Sequence, residues 1–169
     1  MGLRAWRAYG GGVSPSIATA RHVTRDEMLA FIKPRHRAVL VTRRRDGGLQ
    51  TSPVSCGVDA DGCVVIATYP DRAKAVNLRA DPRATLTIVS DAWNDACVQL
   101  DGTAEVIDMP DAEDALVEYF RRISGEHPDW DEYRAAMRFQ AKSLIRITID
   151  RWGPIATGGF PPDRVPPPL

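Results

Sequence analysis

Arg43-Arg44-Arg45-Asp46-Gly47-Gly48-Leu49-Gln50-Thr51-Ser52-Pro53-Val54 is where a β architecture declares itself in this chain. Asp46-Gly47-Gly48 carries the residues of a tight turn, with Gly available for positive φ. Ahead of the turn, Ala38-Val39-Leu40-Val41-Thr42 has the β-branched run of a strand, and Leu49 to Val58 predicts its hairpin partner. Pro53 interrupts that partner strand. Proline cannot donate to a ladder, so Pro53 predicts a sheet edge, a bulge or a place where backbone faces a ligand.

Outward from the hairpin the period stays short. Asp59-Ala60-Asp61-Gly62 predicts a second turn and Cys63-Val64-Val65-Ile66-Ala67-Thr68 a buried strand. Tyr69-Pro70-Asp71 ends this meander and opens a helix over about Arg72 to Ala80, which Asp81-Pro82 closes. Strands follow at Ala84–Ser90 and Cys97–Ile107. Pro110–Ser124 and Asp129–Ala141 read as helices, the first with Leu116, Val117, Phe120 and Ile123 on one face, the second with Trp130, Tyr133 and Met137. Ser143–Ile149 is a last strand. Upstream, Thr24-Arg25-Asp26-Glu27 is a capping-box pattern that starts a helix, and Pro34 stops it. The expected fold is mainly β with helices (α+β), a small barrel of about six antiparallel strands with helices packed outside. Residues 1–23 are expected as a flexible arm or a segment that orders only against a partner, 24–152 as the folded domain, and 153–169 as a Gly/Pro-rich tail without regular structure.

Composition narrows the function. With 22 Lys+Arg against 22 Asp+Glu in 169 residues, the formal charge is zero, which disfavours broad binding to nucleic acid or anionic lipid. No apolar run approaches the ~18–20 residues of a membrane helix, and no secretory leader is evident, so a cytoplasmic protein is expected. Three cysteines, Cys56, Cys63 and Cys97, fit reduced thiols better than a disulfide framework. Phosphate-loop, dinucleotide-binding, serine-hydrolase and zinc motifs are absent. His22, His36 and His127 lie far apart, and Asp129, Asp131 and Glu132 suit the first turn of a helix, so no metal site is expected.

Two segments could carry chemistry. Arg72, Lys74, Arg79 and Arg83 surround Asn77 near a helix start, which suits a phosphate or carboxylate pocket and equally suits a solvated basic face. Thr51-Ser52-Pro53-Val54 puts small hydroxyl residues around a proline, suited to the edge of a flat polar ring or simply to a bulged edge strand. A barrel of this size has no room inside, so a large cofactor would lie outside, in a groove between two chains.

The hairpin stretch, then Arg72-Ala73-Lys74-Ala75-Val76-Asn77-Leu78-Arg79 with Asp81-Pro82-Arg83, then Asp101-Gly102-Thr103-Ala104, resembles the pyridoxamine 5'-phosphate oxidase-like split-barrel flavoproteins over about residues 24–160. Gly125-Glu126-His127-Pro128-Asp129-Trp130-Asp131-Glu132-Tyr133-Arg134 and Trp152-Gly153-Pro154-Ile155 resemble the actinobacterial branch that uses the deazaflavin F-420. The resemblance implies a homodimer with cofactor grooves at its interface. It implies that Arg72 and Lys74 grip phosphate with Asn77 beside them, and that Thr51, Ser52, Pro53 and Val54 flank the ring. Ala67 and Thr68 would pass close to ring or phosphate, and Trp152 and Gly153 would come from the other chain. The implied activity is F-420-dependent hydride transfer to an unsaturated organic substrate, with no catalytic side chain nominated. An FMN-dependent oxidase or reductase on the same scaffold, and a flavin- or deazaflavin-binding protein without turnover, are the alternatives. Arg43, Arg44, Arg79 and Arg83 are spare cations for an acidic cofactor tail, and Trp93 or Trp152 could block the substrate side.

Overall fold

Thr24 starts the first helix as its sequence requires. Its hydroxyl accepts from the Glu27 amide and the Glu27 carboxylate accepts from the Thr24 amide, satisfying two donors that have no helical partner. The computed structural model describes residues 16–92 and 95–164. In chain order the elements are β1 (Thr19–Arg21), α1 (Arg25–Ile32), β2 (Arg37–Arg43), β3 (Leu49–Ser55), β4 (Gly57–Val58), β5 (Val64–Thr68), α2 (Ala73–Ala80), β6 (Arg83–Val89), β7 (Cys97–Ile107), α3 (Glu113–Ser124), α4 (Trp130–Phe139), β8 (Ser143–Trp152) and β9 (Ile155–Thr157). Six of these strands have five residues or more, and they carry the sheet.

All named strand pairs are antiparallel, in the order β3-β2-β6-β7-β8-β5-β4. The two ends of this path, β3 and β4, are consecutive in sequence and separated only by Cys56. The sheet therefore curls until its edges meet, and the chain itself crosses the seam at Ser55-Cys56-Gly57. Beyond that crossing β3 and β5 are not paired to each other, which leaves the barrel split.

Alternation decides which side chains fill it. Val64 and Ile66 of β5 point into the barrel with Leu40, Leu86, Ile88, Leu100 and Ile147, while α1 closes one end with Met28 and Ile32. Val65 of β5 points outward with Leu144 of β8, onto Leu116, Val117 and Tyr119 of α3 and Tyr133 of α4. A strand buried on both faces reads as a continuous apolar run, as residues 63–67 do.

Pro53 sits on the edge strand, opposite Val39, where its missing donor costs no ladder bond on the open side. The ends of the chain differ from expectation. Thr19–Arg21 pair with Ile155–Thr157, the Ala18 amide donates to Phe160 O at 2.9 Å, and Pro162–Arg164 form a 3-10 turn. The tail thus holds regular structure, because its short apolar piece Ile155-Ala156 finds partners in β1 and β7 that lie far away in sequence. Residues 1–15 of the expected arm, Trp93 and residues 165–169 fall outside the described residues. No helix among the described residues is long and apolar enough to cross a membrane.

Candidate functional site

The split in the barrel is a cleft. A cavity of about 460 Å³ opens there, with Pro53, Val54 and Ser55 from β3 and Ala67 from β5 on one side. Lys74 enters from the first turn of α2, and Tyr119, Phe120, Tyr133 and Met137 of α3 and α4 build the far wall. Gln140 and Lys142, in the turn from α4 to β8, complete the rim.

Aromatic packing holds the wall rigid. The Phe120 and Tyr133 ring centroids are 5.0 Å apart, and Trp130 meets both rings near a right angle at 5.9 and 5.7 Å. The phenol of Tyr119 donates to Ser55 O at 3.1 Å, tying α3 to the seam. Burial pushes the Tyr119 hydroxyl up to about 12, with Cys56 nearby acting in the same direction, so it stays a neutral donor. The Tyr133 phenol donates to Leu116 O at 3.1 Å, and burial raises its pKa as well.

The charge in the cleft is positive and uncompensated. Among the described residues no carboxylate lies within ion-pair distance of Arg72, Lys74 or Lys142, although fifteen ion pairs form elsewhere. Desolvation, then the nearby Arg72 charge, lowers the pKa of Lys74 below its ordinary value. Arg72 is the N-cap residue of α2 and makes no side-chain cap, so its guanidinium stays exposed.

The structure thus brings Pro53, Val54, Ala67 and Lys74 to one cleft, and the other nominated residues make the following contacts within the chain. Asn77 turns inward, is 8% exposed, and donates to Thr42 Oγ1 at 3.0 Å rather than into the cleft. Thr51 lies opposite Val41 on the same face of β3 as Pro53 and Ser55, and Ser52 accepts from Gln50 Nε2 at 2.6 Å. Thr68 is buried opposite Ser143. The Trp152 indole donates to Val23 O at 2.9 Å and the Gly153 amide to Gln99 O at 2.9 Å. Three of the supposed spare cations are also engaged. Arg79 grips Asp108 with two bonds of 2.7 and 2.9 Å, Arg44 pairs with Asp46, and Arg83 holds the Asp81 carboxyl down to about 2.

A curled sheet split between β3 and β5, with cations at the start of the helix after β5, is the arrangement against which the chain can be compared. The family model described as pyridoxamine 5'-phosphate oxidase matches residues 24–156. The chain belongs to the pyridoxamine 5'-phosphate oxidase family. Solved structures agree on the fold. A conserved hypothetical protein of Mycobacterium tuberculosis is 23% identical, with 80% of this chain and 86% of that one covered and a TM-score of 0.66. An F-420 reductase is 15% identical over 73% of this chain and 94% of that one, with a TM-score of 0.57. A heme binding protein of Mycobacterium smegmatis is 21% identical over 79% of this chain and 54% of that one, at a TM-score of 0.58. At these identities the likeness carries the fold alone.

The sequence nominated residues of β3, β5 and the start of α2 at this cleft and missed the wall built by α3 and α4. Phe120, Tyr133 and Met137 were legible only as the apolar faces of two helices, and Tyr119, Gln140 and Lys142 gave no signal. Asp129 caps α4, accepting from Asp131 and Glu132 amides, and His127 accepts from the Asp129 amide, so those polar residues serve the helix start.

Proposed function

We propose that this chain is an oxidoreductase that binds the deazaflavin F-420 in the split cleft and passes hydride to an unsaturated organic acceptor. The observation that carries the proposal is the pairing of an apolar floor, Pro53, Val54 and Ala67, with the uncompensated ammonium of Lys74 at one end. A flat ring with an anionic side chain needs both. Reduced F-420, when bound, supplies the hydride; the chain's own residues bind, orient and exclude water. Lys74 and Arg72 take the phosphate, the Pro53-Val54 edge supports the ring, and the aromatic wall of Phe120 and Tyr133 confines the acceptor. The likeness to an F-420 reductase fold supports this reading.

The protein acts as a cytoplasmic homodimer in this proposal. The outer face of β2 and β3 offers Val39, 39% exposed, and Leu49, 57% exposed, beside the cleft strand, which suits burial against a second copy. FMN is the rival cofactor, since it also joins a flat ring to a phosphate.

Titration of the purified protein with F-420 and with FMN, followed by ligand fluorescence, separates the two. Submicromolar F-420 binding with FMN weaker by tenfold or more supports the proposal, and the reverse order overturns the deazaflavin assignment. Lys74→Ala is expected to weaken the bound cofactor by about 1.5–3 kcal/mol, the value of a charge-assisted contact.

A further inference from the structure

Tyr69 lies between β5 and α2, and two cations meet its ring. The Lys142 Nζ stands 3.7 Å from the Tyr69 ring centroid, and the Arg72 guanidinium carbon stands 5.6 Å from the same centroid. Lys74, two residues beyond Arg72, enters the same cleft as Lys142. Among the described residues no carboxylate pairs with Arg72, Lys74 or Lys142, and the ring offers Arg72 and Lys142 only cation–π attraction. Other half-buried cations are ion-paired, as Arg146 is with both Asp59 and Asp61 at 2.7 Å. In the cleft, Lys74 instead has the Arg72 charge beside it.

The position of Lys142 is also built. The Tyr69 phenol donates to Gln140 Oε1 at 3.3 Å, and the Lys142 amide donates to Met137 O at 3.1 Å. Between them Ala141 adopts φ 46°, a left-handed conformation unusual for a residue with a Cβ, which turns the chain so that Lys142 meets the ring. The side chain is half-buried rather than waving in solvent.

We propose that Lys142, held on the Tyr69 ring, is an anion-binding residue that completes a three-cation site with Arg72 and Lys74 and selects ligands carrying at least two negative charges. This rests on the cleft being the cofactor site and adds which ligand chemistry it takes. The second charge is either the second ionisation of a phosphate monoester or a carboxylate attached beyond a phosphate diester. Both place one anion on Lys74 and Arg72 and leave another for Lys142.

The test compares wild type with Lys142→Gln, which keeps length and polarity but removes charge, using inorganic pyrophosphate, F-420, FMN and the uncharged riboflavin. The expected result is saturable pyrophosphate binding to wild type, weakened about tenfold in the variant, with riboflavin affinity unchanged within about twofold. Loss on FMN points to the phosphate's second charge, and loss on F-420 alone to the carboxylate. Pyrophosphate binding weakened in Lys142→Gln while F-420 fails to bind wild type leaves the three-cation site standing and removes the deazaflavin assignment. Wild type that ignores pyrophosphate, a variant that binds it equally well, or equal losses for riboflavin and FMN overturn the inference. Tyr69→Leu, which removes the ring that holds Lys142, gives a second arm, with the same anion-selective loss expected.

Discussion

The Nδ2 of Asn77 donates to the Oγ1 of Thr42 at 3.0 Å, and the Thr42 hydroxyl passes the bond on to Gln50 Oε1 at 3.1 Å. Gln50 Nε2 then donates to Ser52 Oγ at 2.6 Å. Helix α2 is thereby linked through β2 to the strand that floors the cleft. Asn77 is thus positioned to fix that strand. Asn77→Ala is expected to lower stability by about 1–3 kcal/mol, because it strips a buried hydroxyl of its donor. The check is a urea unfolding curve with its midpoint reduced and its slope unchanged. Cofactor affinity should fall less than in Lys74→Ala, and an equal fall would place Asn77 in direct contact after all.

The barrel was legible from the sequence because its strands are long and carry their own period. Cys97–Ile107 was predicted and found with the same ends. Thr19–Arg21 and Ile155–Thr157 escaped because three-residue strands have no period to read, and their pairing joins opposite ends of the chain. The site was half legible for a similar reason. Lys74 and Pro53 break the local pattern, since a cation and a proline stand where apolar or hydrogen-bonding residues are expected. Phe120, Tyr133 and Met137 obey the pattern, and an apolar helical face looks the same in sequence whether it meets a core or a cleft. The inward turn of Asn77 was not legible because nearness to Lys74 along a helix does not tell which way a polar side chain turns; the buried Thr42 opposite decides that.

Ala141 offers a test of the turn that delivers Lys142. An L-residue in the left-handed region costs about 1–2 kcal/mol, part of which glycine would return as unfolded-chain entropy. Ala141→Gly is therefore expected to stabilise the protein by about 0.5–1 kcal/mol, and Ala141→Val to destabilise it. Thermal melts of the two variants would show the opposite signs; a destabilised glycine variant would mean that the turn is not strained.

Gly102 explains why a glycine stands in Asp101-Gly102-Thr103-Ala104. The register of β7 against β8 slips between Asp101 and Gly102, bringing the strands together so closely that a Cβ at Gly102 would run into the carbonyl oxygen of Thr148 and the side chain of Ile147. The obstruction is backbone, which cannot swing aside as a side-chain tip can. Gly102→Ala is expected to cost about 1–3 kcal/mol, toward the upper end. Amide exchange should quicken along both strands at the bulge, and a variant as stable as the parent would show that β8 can shift there freely.

Asp108 sets the acid limb of stability. Its carboxylate accepts from the buried Ser143 hydroxyl at 2.5 Å and from both Arg79 bonds, so it joins the end of α2 to the start of β8. The Ser143 bond, and after it the Arg79 guanidinium, hold the Asp108 carboxyl below its ordinary value of 3.8. Below that value the unfolded chain binds a proton that the folded one still refuses, so stability falls as pH falls. The contribution is fully present above about pH 5 and is lost progressively as the pH drops through 3.8 toward the folded pKa. Asp108→Asn abolishes that titration. Urea midpoints measured between about pH 5 and pH 2 should show a shallower decline in the variant, together with lower stability at neutral pH from the lost ion pair. Parallel pH curves for the two proteins would mean that another carboxylate, such as Asp81 with its pKa held at about 2 by Arg83, governs the acid transition.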